Sequence, residues 1–147
     1  MKKLLILLVI LLIIPVKIQQ IRIKNLSLER NLQIVQLENS PLNLSNLEKY
    51  IYLLNIQYPN IVLKQAILET GWLSSRVCKS NNNLFGLVYN GRYAKFSHWT
   101  ECVKAYKRFQ NKKYNSGCYY KFLVAANYAS DSKYIKKLKS IEYGRLG

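Results

Sequence analysis

Apolar residues recur every three or four positions between Ile61 and Trp72, and this spacing predicts an amphipathic helix. Ile61, Leu68 and Trp72 fall along one line of that helix. Pro59 suits the first turn of a helix, and Gly71 is a residue type that commonly ends one. We therefore expect the helix to run from about Pro59 to the residue before Gly71.

The same periodicity predicts further helices on both sides of this one. Ser45 and Glu48 form a capping-box pattern, which predicts a helix from about residue 46 to Gln57 with Ser45 as its N-cap. Between residues 73 and 97 the helical pattern is lost, and Asn90-Gly91 between two short apolar runs predicts a β-hairpin. Three later helices are predicted over about residues 99–110, 119–127 and 131–141, the last with Asp131 as its N-cap. The expected fold class is mainly α, or α+β, with one short hairpin.

The N-terminal third has a different pattern. Lys2-Lys3 leads into an apolar run over residues 4–16, which is typical of a signal-peptide core and short for a membrane span. No small-x-small cleavage site follows, so residues 1–17 are predicted to be either a signal peptide or an N-terminal membrane anchor; a buried core helix is the alternative. Residues 18–44 mix polar and aliphatic side chains and predict a linker or irregular arm. The folded domain is therefore expected over residues 45–147.

Glu69 is the one carboxylate of the helix that ends before Gly71, and it lies on or beside the apolar face. Its place in the last turn sets it at the negative end of the helix dipole, and the nearby Trp72 indole would remove water from it. Both effects would raise the pKa of the carboxyl, as a general acid near neutral pH requires. An ordinary solvated glutamate is the alternative on spacing alone.

Composition narrows the classes of partner. The formal net charge of +16, from 23 basic and 7 acidic residues, indicates a polyanionic neighbour: nucleic acid, an anionic membrane surface or an anionic cell wall. The 12 tyrosines would suit stacking on sugar rings or on bases. The three cysteines have no metal-ligand spacing, which leaves one disulfide or three free thiols. No phosphate-binding, zinc-protease or serine-hydrolase motif is present, so neither a metal nor a cofactor is expected.

Three stretches, taken in order, resemble the cell-wall glucosaminidases of glycoside hydrolase family 73. They are Gln-Ala-Ile-Leu-Glu-Thr-Gly-Trp at residues 65–72, Asn-Leu-Phe-Gly at 83–86 and Asn-Tyr-Ala-Ser-Asp-Ser-Lys-Tyr at 127–134. The segment over 93–102 is similar to the one that follows the family's hairpin. The resemblance covers roughly residues 47–141.

This resemblance implies a lysozyme-like helical domain with a short β-hairpin lobe beside a groove. It implies hydrolysis of the β-1,4 bond after N-acetylglucosamine in peptidoglycan, with Glu69 as proton donor and Tyr128 as a second catalytic residue. The residues expected to bind substrate are Trp72, Asn83, Phe85, Gly86 and Tyr93. The implied partners are peptidoglycan glycan strands and an anionic envelope surface, with N-terminal membrane association and export to the periplasm or envelope; nucleic acid is not expected.

The sequence does not decide between the possible catalytic mechanisms. No Asp or Glu occurs between Thr70 and Thr100, while Glu101 and Asp131 are expected at helix starts, so a paired-carboxylate scheme lacks an evident second member. Either the substrate's own 2-acetamido oxygen attacks the anomeric carbon, or a water attacks with inversion. A lytic transglycosylase on the same fold and a non-catalytic, basic wall-binding module are the alternative functions.

Overall fold

The computed structural model describes the backbone of residues 2–143 and the side chains of residues 14–143. This part of the chain is mainly helical, with one antiparallel pair of short strands, as predicted. The elements in order are α1 (Lys2–Glu38), α2 (Leu44–Leu53), α3 (Pro59–Thr70), α4 (Arg76–Asn81), β1 (Val88–Tyr89), β2 (Arg92–Tyr93), α5 (Trp99–Lys113), α6 (Tyr119–Ala125) and α7 (Tyr134–Ser140). The chain divides into two compact units, Met1–Gln36 and Leu37–Gly147.

The first unit is formed by α1, and the predicted irregular backbone is wrong for residues 18–38, which are helical; a role of this stretch as a linker stays a prediction. This stretch has no Gly or Pro and is rich in Leu and Gln, with two Arg and two Glu, all of which favour helix. The predicted leader, residues 1–17, lies mostly on residues 1–13, which are outside the described side chains. In the part of the chain that the structure describes, no helix combines the length and the apolar character needed to cross a membrane.

The second unit begins with the last residues of α1, before the predicted domain start at residue 45. Leu37 is buried, and Glu38 accepts a hydrogen bond from the Tyr50 hydroxyl at 2.8 Å and forms an ion pair with Lys104 at 2.7 Å. The Trp99 indole N–H donates to the Ser40 carbonyl oxygen at 2.9 Å. These contacts anchor the connection between α1 and α2 on α5.

Several helix ends differ from the sequence-based expectation. The N-cap of α2 is Asn43, not Ser45, because the Asn43 side chain accepts the Asn46 N–H at 2.8 Å. The N-cap position of α7 is Lys133, not Asp131; the Asp131 carboxylate accepts the Lys133 N–H at 2.8 Å in the turn before the helix. The short helix α4 was not predicted, and it begins where Ser75 Oγ accepts the Cys78 N–H.

The two elements nearest the candidate site were predicted correctly. Helix α3 has Pro59 in its first turn and Gly71 as its C-cap, with φ of 54°. The hairpin turns at Asn90 and Gly91, with φ of 50° and 74°; a two-residue type I′ turn requires positive φ at both positions. Val88 of β1 pairs with Tyr93 of β2.

Helices α2, α3 and α5 form the core of the second unit, completed by two buried residues each from α6 and α7. Its fully buried apolar side chains include Leu47, Tyr50, Ile51, Val62, Ala66, Ile67, Trp99, Val103, Tyr106, Leu123 and Leu138. A buried polar chain crosses this core: the Tyr106 hydroxyl donates to Gln65 Oε1 at 2.6 Å and lies 2.7 Å from the Tyr119 hydroxyl, which also accepts from Gln110 at 2.9 Å. Because a buried amide is costly to leave unpaired, this chain fixes the rotation of α3 about its axis.

Candidate active site

Glu69 lies in the last turn of α3, one turn beyond the fixed Gln65, and its side chain is partly buried. The helix ends directly after it. The Thr70 hydroxyl donates to the Ala66 carbonyl oxygen at 2.6 Å and accepts the Leu73 N–H at 2.8 Å, while Gly71 takes the left-handed conformation. This C-terminal cap fixes the last turn of α3 and with it the position of Glu69.

Gly86 lies against that carboxyl. A Cβ atom at this position would be 3.2 Å from Glu69 Oε2, and the Gly86 φ of +63° is one that L side chains rarely adopt. Both the backbone angle and the close approach therefore favour glycine at this position. The pattern Asn-Leu-Phe-Gly thus has a physical reason for its last residue.

Asn83 holds the backbone that presents Gly86. It is buried; its side-chain amide donates to the Leu87 and Ala94 carbonyl oxygens at 2.8 Å and 3.1 Å, and its Oδ1 accepts the Leu87 N–H at 2.9 Å. These bonds close the loop onto the residue that follows β2. Asn83 was expected to touch substrate, and the structure places it beneath the loop instead of in the cavity.

Tyr128 reaches the same loop from the other side of the site. Its hydroxyl donates to the Phe85 carbonyl oxygen at 3.0 Å, and its ring packs edge-on near Tyr106. Burial raises the pKa of the Tyr128 hydroxyl well above its usual value, so the group stays protonated at neutral pH. The hydroxyl proton is engaged with Phe85, and the oxygen retains lone pairs that can accept a hydrogen bond.

These residues surround a cavity of about 490 Å³. Its lining consists of Leu68, Glu69, Phe85, Gly86, Val88, Tyr93, Tyr128, Ala129, Ser130, Asp131, Tyr134 and Lys137. Five of the seven predicted site residues are thereby brought together: Glu69, Phe85, Gly86, Tyr93 and Tyr128. Asn83 and Trp72 are not part of the lining, and Trp72 is 55% exposed with φ of 59°.

The hairpin supplies one wall of the cavity. Val88 and Tyr93 are paired residues of the antiparallel ladder, so their side chains project from the same face of the hairpin. Both are more than half exposed, at 52% and 57%. An exposed aliphatic and aromatic pair of this kind is suited to packing against the apolar face of a sugar ring.

Tyr134 is a site residue that the sequence-based analysis did not single out, although it is the last residue of the quoted stretch 127–134. Its hydroxyl accepts a hydrogen bond from Gln65 Nε2 at 3.3 Å. Since the Gln65 amide nitrogen can only donate, the proton of Tyr134 is left to point elsewhere, and the interaction of this hydroxyl with the Glu69 carboxyl acts to lower the pKa of that carboxyl. Gln65 and Tyr134 therefore link that carboxyl to the buried polar chain of the core.

The pKa of the Glu69 carboxyl is raised above its ordinary value. Burial is the largest cause, and the hydrogen bond from Tyr134 acts in the opposite direction. The expected contribution of the Trp72 indole is not among these causes. The direction of the pKa shift agrees with the sequence-based prediction. The groups that bury the carboxyl are the walls of the cavity, and not the expected Trp72 indole.

Glu101 and Asp131 are the two other carboxylates that the sequence places near helix starts in this part of the chain. Glu101 lies outside the cavity and forms an ion pair with Lys104 at 2.9 Å. Asp131 lines the cavity, where its Oδ2 is 2.7 Å from the Lys137 ammonium. This ion pair lowers the pKa of Asp131, so the carboxylate is ionised at neutral pH.

Residues suited to holding a metal ion do not cluster within the described part of the chain. Cys78 and Cys102 are buried free thiols, and Cys118 is an exposed free thiol. Of the two possibilities that the sequence left open, the structure thus has three free cysteines. None of them lines the cavity.

A semi-buried, protonatable glutamate in the wall of an open cavity has the character of the general acid of a glycoside hydrolase. A family model for glucosaminidases, described as mannosyl-glycoprotein endo-beta-N-acetylglucosaminidase, matches residues 50–144, well over half of the chain. The chain belongs to this family, glycoside hydrolase family 73, whose members act on peptidoglycan. No curated protein and no solved structure matches the chain significantly.

Proposed function

We propose that this protein is a peptidoglycan hydrolase that cleaves the β-1,4 bond after N-acetylglucosamine, with Glu69 as the general acid. The observation that carries the proposal is the Glu69 carboxyl itself, which is partly buried, has a raised pKa and faces a cavity shared with Tyr128. A carboxyl that keeps its proton near neutral pH can give it to the glycosidic oxygen as the bond breaks.

The hydrogen bond of the Tyr128 hydroxyl supports a substrate-assisted route. Its proton is directed to the Phe85 carbonyl, so the hydroxyl offers the cavity an acceptor. An acceptor there can bind the N–H of the substrate's 2-acetamido group, which turns the acetamido oxygen toward the anomeric carbon. That oxygen then attacks as Glu69 protonates the leaving oxygen, and water opens the resulting oxazolinium ring with Glu69 as base.

The contacts of Asp131 favour a structural role over that of a second catalytic carboxylate. One of its oxygens accepts the Lys133 N–H and the other accepts from the Lys137 ammonium. Both oxygens are thus held by groups that favour the ionised form and oppose the uptake of a proton. Attack by a water activated through Asp131 is the competing route, and it predicts inversion at the anomeric carbon.

Product analysis on one defined, uncrosslinked peptidoglycan strand tests the proposal. The proposed activity releases fragments with reducing N-acetylglucosamine ends and retained anomeric configuration in the first product. Fragments ending in 1,6-anhydro-muramic acid would instead show a lytic transglycosylase, and inverted product would favour the route through Asp131. Binding to the strand without any new reducing end would leave only a wall-binding module.

Surface charge suggests how the enzyme reaches its substrate. Lys133, Lys136, Lys137 and Lys139 lie at or in α7 and are exposed, on a chain of formal charge +16. We infer that this basic surface attracts the protein to anionic envelope polymers and that its N-terminal segment directs it out of the cytoplasm. Cell fractionation checks the second point, and co-sedimentation with purified walls at rising salt checks the first.

A further inference from the structure

The side chains of α1 between Pro15 and Leu37 follow a coiled-coil pattern. Ile18, Ile21, Asn25, Leu28 and Leu32 are separated by alternate steps of three and four residues, and Val35 continues the series in the sequence. In heptad terms Ile18, Asn25 and Leu32 occupy a positions, while Ile21 and Leu28 occupy d positions. These positions form one continuous stripe, called here the α1 seam.

The apolar residues of the α1 seam are solvent-exposed in the single chain. Ile18, Ile21, Leu28 and Leu32 are each between 57% and 61% exposed. A helix of this length in water is stabilised mainly by burying its apolar residues, so a seam left in solvent needs a covering surface. We propose that the α1 seam joins two copies of this chain in a parallel, in-register, two-stranded coiled coil.

Asn25 argues for the parallel arrangement. In a parallel, in-register pair the two copies of an a-position residue face each other, so the two Asn25 amides can hydrogen-bond together. In an antiparallel pair an a residue faces a d residue, and the amide would be buried against Ile21 or Leu28 without a partner. A single asparagine at an a position thus selects the register at some cost in stability.

The charged residues beside the α1 seam also fit a second copy. Lys24 lies at a g position and Glu29 at the following e position, which places Lys24 of each copy beside Glu29 of the other. Neither side chain forms an ion pair within the described part of the chain. In the proposed dimer Lys17 of each copy would lie beside Arg22 of the other and repel it, so the flanking charges set the register more than they add to stability.

The distribution of charge disfavours a lipid surface as the covering partner. A helix that lies on a membrane gathers its charged residues on the face opposite its apolar one. In α1 the charged residues lie on both flanks of the α1 seam, with Lys17 and Lys24 on one side and Arg22 and Glu29 on the other. Flanking charges on both sides are the arrangement of a coiled coil.

The test compares two double variants of the full chain by sedimentation equilibrium over a wide concentration range. Ile21→Lys with Leu28→Lys places charge in the α1 seam. Ile23→Lys with Leu26→Lys adds the same charge at residues that are equally apolar and equally exposed, at 57% and 58%, but lie outside the seam. The wild type and the control pair should dimerise alike, and the seam variant should dimerise about a hundredfold more weakly or not at all.

A cysteine cross-link tests the register. The variant combines Asn25→Cys, which introduces the cross-linking thiol, with Cys118→Ser, which removes the exposed native thiol. Oxidation of this variant should give a covalent dimer in high yield. A wild type that stays monomeric throughout, or two double variants that weaken association equally, would overturn the proposal. If the wild type is monomeric and binds phosphatidylglycerol vesicles, and both double variants lose this binding equally, the covering surface of α1 is lipid. A dimer without the cross-link would overturn the parallel, in-register arrangement.

Discussion

Gly86 tests the geometry of the site without changing any group that takes part in the chemistry. In Gly86→Ala the new Cβ would lie 3.2 Å from Glu69 Oε2, a contact closer than real side chains normally make. The Gly86 φ of +63° adds backbone strain of roughly 1–2 kcal/mol for any L residue. We therefore expect two separate effects, a loss of stability and a displacement of the carboxyl by a few tenths of an ångström or more.

The displacement should appear in the rate. A general acid moved out of line with the glycosidic oxygen loses much of its effect, and errors approaching 1 Å cost about a hundredfold. We expect Gly86→Ala to lower kcat roughly ten- to hundredfold on soluble peptidoglycan fragments, measured as new reducing ends. The fraction of folded protein is checked by urea unfolding of the same preparation.

Gly91→Ala is the matched control. Gly91 also has positive φ, +74°, but its added Cβ would meet nothing within 4 Å. Both variants should lose a similar amount of unfolding free energy, and only Gly86→Ala should lose kcat. If the two variants keep kcat within about twofold of each other, contact between Gly86 and the Glu69 carboxyl has no bearing on catalysis and the reasoning is refuted.

Three further predictions concern the surroundings of the carboxyl. Tyr134→Phe removes the hydrogen bond that lowers the Glu69 pKa, so the alkaline limb of the pH profile of kcat should move to higher pH; an unmoved limb contradicts this. Because the folded-state pKa of Glu69 is raised, the stability of the wild type should fall as the pH rises above the ordinary value of about 4.5. The stability of Glu69→Gln relative to wild type should therefore increase over the same pH window, as measured by thermal unfolding. A stability difference that does not change with pH would be evidence against burial as the cause of the raised pKa. Asn83→Ala leaves the Leu87 N–H and the Leu87 and Ala94 carbonyl oxygens without this partner, and urea unfolding should show a loss of roughly 2–4 kcal/mol, whereas a loss below 1 would contradict its role in holding the loop.

Local signals were sufficient to predict the elements that carry the site. Pro59 and Gly71 set the limits of α3 because each has a backbone preference that acts within one turn. Asn90-Gly91 located the hairpin for the same reason. The helical spacing then placed Glu69 beside the buried face, and the structure agrees.

Features that depend on distant residues could not be derived in this way. Gln65 contacts Tyr134, 69 residues later, and this hydrogen bond has no local signature. Asn83 was recognised as part of a motif, but its role beneath the loop depends on Ala94 across the hairpin. The continuation of α1 through residues 18–38 was missed because its mixed polar and aliphatic side chains were interpreted as an irregular arm, although the apolar ones recur at helical spacing.

The most direct test of the central claim is the rate of Glu69→Gln relative to Glu101→Gln. Both changes remove one carboxyl of similar size, but Glu101 lies outside the cavity in an ion pair with Lys104. Release of N-acetylglucosamine reducing ends from peptidoglycan should fall about 10²–10⁴-fold in Glu69→Gln and stay near the wild-type rate in Glu101→Gln. Undiminished release by a folded Glu69→Gln protein would contradict the account.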